Sequence, residues 1–166
     1  RMVMAMPSLI VGGAERVFLN IISNIDRNKF ELYLIVGERH GPLVKLIPDY
    51  IEIHELGETR AYKTFFPFLK LIRKIKPNII FATLGFVISA GLVKPLAPKN
   101  TKVVIRLGNT ISAYLNELKE ISLIKYYYYY ILNYFVLILS DYVVVQSNYM
   151  KEDLINIFYL SIATKE

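Results

Sequence analysis

The chain has 166 residues, which suits one domain of ordinary size with a buried core and is too short for two such domains. Apolar residues make up 54% and charged residues 20%, so the chain can fold and has apolar surface to spare. The net charge is +6, but the lysines are scattered: Lys70, Lys74 and Lys76 flank one helix, while Lys63, Lys99, Lys102 and Lys119 stand apart, so no nucleic acid is expected as a partner, and the absence of cysteine removes disulfides and Cys-based metal sites.

Residues 2–6 form a short apolar run ending at Pro7, which predicts a buried strand. After a Gly12-Gly13 turn, Ala14, Val17, Phe18, Ile21, Ile22 and Ile25 recur at helical spacing and predict the buried stripe of a helix. Residues 30–36 read as a second strand, broken by the segment Gly37 to Gly41. Residues 43–50 are a weak helix or loop, and residues 51–55 alternate like a short strand. Pro67 suits the first turn of a helix whose buried side is Leu69, Ile72 and Ile75 and which Pro77 ends. Residues 78–83 predict a central strand, 86–93 a short helix, 102–107 a strand, 113–139 one long apolar helix, and 141–146 the last strand. Ser147 is placed to cap a final helix with Met150, Leu154 and Ile157 on one face.

Strands alternate with helices throughout, which argues for an α/β fold with a mainly parallel sheet and helices on both faces. Ligands of such sheets bind at the carboxyl ends of the strands. At the turn after the first strand, Gly12 and Gly13 let backbone approach a ligand, and the helix behind them aims its amides at the same spot. Glu15 can serve the helix dipole or a ligand hydroxyl, and Arg16 can meet a phosphate. A tight turn followed by a charged helical turn explains the same residues without a ligand. Dinucleotide binding needs G-x-G-x-x-G, and here two adjacent glycines are followed by Ala14, although Glu38 stands where a ribose-binding acid would.

Residues 7–21 (PSLIVGGAERVFLNI) resemble the opening of the glycosyltransferase 4-type N-terminal domain. The resemblance continues through KFELYLIV, IKPNIIFATLG, VVIRLGNT and LSDYVVVQSNYMKEDLIN, from about Met2 to Phe158. It implies a Rossmann-like lobe, the single N-terminal lobe of a GT-B fold, for residues 1–158. The second lobe of that fold would hold a UDP- or GDP-sugar as co-substrate, with no other cofactor and no metal. The family relation implies a retaining hexosyltransferase serving polysaccharide biosynthesis, with a saccharide or lipid-linked acceptor. Carried onto this chain, Gly12, Gly13, Glu15 and Arg16 face the donor diphosphate, and Arg106, Asn109 and Thr83 line the acceptor cleft; catalytic residues stay unassigned. A capping Asn109 and a surface Arg106 at a strand end are the plain alternatives. Many relatives carry a histidine where this chain has Thr83, Leu84 and Gly85; His40 and His54 lie elsewhere and read as ordinary polar residues. The family's Glu-x7-Glu donor motif is not found, so residues 159–166 are expected to be a linker or tail, and the chain is expected to be inactive without a second lobe or partner chain.

Residues 126–140 contain no charge but span only about 22 Å as a helix, against about 30 Å of bilayer core. A core helix is the expectation. Tyrosine and the net charge keep a peripheral contact with the inner face of a membrane open for a cytoplasmic protein. The rival to an enzyme lobe is a non-catalytic module for a partner chain or membrane, or the nucleotide-binding domain of another enzyme.

Overall fold

The computed structural model describes residues 1–158; the expected tail at 159–166 lies outside them. Six strands form one sheet: β1 (Met2–Ser8), β2 (Leu32–Glu38), β3 (Glu52–Glu55), β4 (Ile79–Thr83), β5 (Lys102–Arg106) and β6 (Tyr142–Val144). Every ladder is parallel and the spatial order is β3-β2-β1-β4-β5-β6. The helices are α1 (Gly13–Asn24), α2 (Ala61–Ile75), α3 (Phe86–Val93), α4 (Ile111–Ile121), α5 (Leu123–Leu139) and α6 (Asn148–Phe158). A 3₁₀ turn, Pro42–Leu46, joins β2 to β3.

Alternation along β1 divides the core in two. Met2, Met4 and Met6 pack with Phe18, Leu19 and Ile22 of α1. Val3 and Ala5 face the opposite side, which α2 to α6 cover with Phe68, Ile72, Phe86, Leu115, Val136 and Leu154. The predicted layers are therefore present, with α1 and the 3₁₀ turn on one face and the other helices on the second.

Several elements differ from the sequence expectation. The buried arc of α1 is Glu15, Phe18, Leu19 and Ile22; Val17 is exposed and Ala14 and Ile21 are half-buried. A single sheet meets only one narrow arc of the helix, so apolar residues on its flank stay outside. Gly37 lies inside β2 rather than breaking it; a Cβ there would stand 2.5 Å from the Glu58 carbonyl oxygen and 2.6 Å from that of Pro7, so the glycine serves close packing of neighbouring backbone and not a turn. Pro67 is interior to α2, not in its first turn. That helix ends at Ile75, where Lys76 turns left-handed at φ 52°.

The long helix expected over 113–139 is two helices. Ser122 is extended, closes α4 through its N–H to the Leu118 carbonyl, and starts α5 by accepting from the Lys125 N–H at 3.4 Å. The two helices then pack on each other, and α5 also packs against α3, where Gly91 leaves no room for a Cβ beside Val136. The tyrosine run is thus split by side. Tyr126, Tyr129 and Tyr130 are half-buried, with Tyr130 donating its hydroxyl to the Ile157 carbonyl at 3.1 Å, and Tyr127 and Tyr128 are exposed. α5 is a core helix along one side only. Ser147 caps α6 as expected, its Oγ accepting from the Met150 N–H at 3.2 Å.

Candidate functional site

The strand order reverses between β1 and β4, and the loops leaving their carboxyl ends part there. In open parallel sheets this is where a crevice forms. Leu9 to Gly12 leave β1, Leu84 and Gly85 leave β4, and Leu107 to Thr110 leave β5. The loop after β2 supports the first of these. Leu9 donates its N–H to the His40 carbonyl at 3.3 Å and accepts from the Leu43 N–H at 3.2 Å. Gly41, at φ 120°, packs so closely on Leu9 that a Cβ would overlap the Leu9 carbonyl.

Gly12 is the N-cap of α1, and its carbonyl accepts the first helical bond, from the Arg16 N–H, at 3.1 Å. No side chain caps this helix end. The N–H groups of Gly13 and Ala14 therefore stay open at the positive end of the helix dipole. Glu15 is 6% exposed, and its carboxylate lies against Gly12, in the space a Cβ would need. Gly13 has nothing within 4 Å of its own Cβ position and faces outward, as does the Arg16 side chain. Among the described residues neither Glu15 nor Arg16 has an ion-pair partner.

Thr83 and Arg106 are register partners across β4 and β5. Thr83 is fully buried and donates its hydroxyl to the Arg106 carbonyl at 3.3 Å. Arg106 donates Nη1 to Thr83 Oγ1 at 3.5 Å. Arg106 is only 6% exposed, so the plain alternative of a surface arginine is overturned: its side chain folds onto Thr83 instead of extending to solvent. Leu84, next along, holds a left-handed φ of 54° and abuts the Gly108 position. That conformation costs a leucine about 1 kcal/mol and marks a tightly held turn.

Asn109 is exposed and caps nothing. Thr110 is the N-cap of α4 without a side-chain bond, and Asp153 of α6 accepts the Ser112 N–H at 3.1 Å instead. The acid at the end of this helix comes from 41 residues downstream, which local spacing could not reveal. His40 is exposed; His54 is half-buried and stacks on Tyr33 at 6.2 Å, on the far edge of the sheet.

All seven residues singled out in the sequence thus lie at the carboxyl end of the sheet, in loops, strand ends or the first turn of α1 near the β1–β4 divide. Glu15 shares a face with Thr83 and Arg106. Phe18 packs on Phe81 with ring centroids 4.9 Å apart, Glu15 is one turn nearer the start of α1, and Thr83 is two residues beyond Phe81. Glu38 ends β2 and is exposed there.

A comparison with protein families matches residues 11–160 to Glycosyltransferase Family 4. A comparison with curated proteins finds no match.

Proposed function

The chain belongs to glycosyltransferase family 4, and from that premise we propose that residues 1–158 are the acceptor-side lobe of a retaining, nucleotide-sugar-dependent hexosyltransferase of polysaccharide biosynthesis. The family establishes a glycosyltransferase-type N-terminal module; donor, acceptor and stereochemistry are this proposal's own. The observation that carries it is the uncapped start of α1 at the point where the strand order reverses. The open amides of Gly13 and Ala14, with Arg16 beside them, offer a diphosphate its hydrogen bonds and positive charge. Glu15 is a carboxylate in the same turn and repels phosphate, so it serves as acceptor for a sugar hydroxyl. Arg106 and Asn109 line the acceptor side; Thr83, expected there too, is fully buried and stands behind Arg106 instead of facing the cleft.

The donor is a UDP- or GDP-sugar, gripped mainly by a second lobe or partner chain. Backbone amide spectra of the chain titrated with UDP, GDP and inorganic pyrophosphate test this. Shifts centred on residues 12–16 are expected. Shifts scattered over the lysines of α2, or none, would remove the diphosphate role.

A second reading concerns α5. Ile124, Tyr127, Tyr128, Ile131, Phe135 and Ile138 are all exposed and recur at helical spacing. No helix of the described residues is long and apolar enough to cross a membrane. No acid occurs from Ile121 to Ser140, and the chain carries +6 overall. These features favour a peripheral contact with an anionic bilayer at the inner face of the plasma membrane, as suits a lipid-linked acceptor. Co-sedimentation with phosphatidylglycerol vesicles, abolished by Tyr127→Ser with Ile131→Ser, is the expected result; an unaltered supernatant would dismiss it.

A further inference from the structure

Arg106 is a buried cation without an anion. Among the described residues no carboxylate lies within 4.0 Å of it, and its one side-chain bond is the 3.5 Å contact with Thr83 Oγ1. A guanidinium has five N–H donors, so most of this fork has no protein acceptor. Taking a charge even partly out of water without an anion is unfavourable, and proteins rarely leave it uncompensated. Glu15, also 6% exposed and on the same face and end of the sheet, could have been that partner; the two do not pair. Nor is the guanidinium sealed in, since none of its nitrogens is a fully enclosed, unbonded polar atom.

We infer that Arg106 binds an anionic group of the acceptor, a carboxylate or a phosphate. The inference rests on the acceptor-lobe reading above. A planar fork with free parallel N–H groups matches both oxyanions and gains little from a neutral hydroxyl. Thr83 Oγ1 contacts one nitrogen at 3.5 Å and so biases how the fork lies, and the left-handed turn at Leu84 follows directly on Thr83.

The test follows the Arg106 Nε–H resonance of the full chain during titration with glucuronate, glucose 1-phosphate and glucose. The two anions separate a uronic acid from a sugar phosphate, and glucose is the neutral control. A saturating shift with at least one anion and none with glucose is expected. Arg106→Lys, which keeps the charge but loses the fork, should weaken that anion about tenfold. Should the lysine substitution impair folding, Thr83→Ser, which keeps the hydroxyl, and Thr83→Val, which loses it, probe the same site: Thr83→Ser should retain binding and Thr83→Val should weaken it. Equal shifts with glucose, or no shift with any probe, would overturn the inference. If UDP still perturbs residues 12–16 in that case, only the anionic acceptor is lost; if UDP also fails, the lobe reading falls with it.

Discussion

Thr83 Oγ1 is bonded twice by one residue: it donates to the Arg106 carbonyl at 3.3 Å and accepts from Arg106 Nη1 at 3.5 Å. A single hydroxyl thereby ties the β4–β5 ladder to the orientation of the buried guanidinium.

Thr83→Val keeps the shape of that side chain and removes both bonds. The expected loss is about 1 kcal/mol, read as a lower urea midpoint, with Thr83→Ser retaining most of the wild-type value. An unchanged midpoint in the valine variant would mean that the hydroxyl does not anchor Arg106.

Asp141 joins the start of β6 to β5. It pairs with Lys94 and with Lys102 at 2.9 Å, and accepts the Val103 N–H at 2.8 Å. Burial pushes its carboxyl up, but Lys94, the Val103 amide and Lys102 outweigh that and hold it at about 2, against an ordinary 3.8. A carboxyl depressed in the folded chain gives stability that is whole above pH 3.8 and fades as the pH falls toward 2. Asp141→Asn should cost about 2 kcal/mol at neutral pH and flatten the acid limb of a stability–pH curve over that window. A parallel curve for the variant would contradict the assignment.

The two glycines of the turn should respond oppositely. Gly12→Ala puts a Cβ where the Glu15 carboxylate lies, so that flexible side chain must move aside, and stability should fall by less than about 1 kcal/mol, relieved when Glu15→Ala is added. Gly13→Ala meets nothing and falls within a helix, so it should raise stability by about 0.5 kcal/mol while weakening pyrophosphate binding. A double-mutant cycle in thermal melts, with calorimetric titration of pyrophosphate, separates the two.

Lys76 is exposed and left-handed at φ 52°, closing α2 through its N–H to the Ile72 carbonyl at 2.9 Å. Lys76→Gly suits that conformation and should raise stability by about 1 kcal/mol, visible as a higher urea midpoint.

The order of strands and helices is legible because each strand buried on both faces reads as a short apolar run bordered by Pro or Gly, as at residues 2–6 and 79–83. The break at Ser122 is not: neither Gly nor Pro marks it, both sides carry apolar residues, and the bend follows from α4 packing on α5. The turn and the family resemblance singled out seven residues at the carboxyl end of the sheet, but not the burial of three of them, Glu15, Thr83 and Arg106. An acid in a first helical turn and an arginine at a strand end read as solvated. Glu15 is covered through its contact with Gly12, and Arg106 is held by a threonine 23 positions earlier. The outward apolar side of α5 was hidden in turn because a run of apolar residues does not say which side of the helix the core takes.

The middle position of β1 also has a consequence in time. It leaves the ribosome well before one of its neighbours, β4, which begins at Ile79, and the Met2–Ile79 pair cannot form until then. At ordinary rates of synthesis the waiting period is on the order of ten seconds. During it β2 can occupy one flank of β1, while the other offers unpaired amides and carbonyls to any passing strand. The nascent chain is thus most exposed to mispairing at what becomes its best-protected place, and quick delivery of residues 79–83 is what seals it.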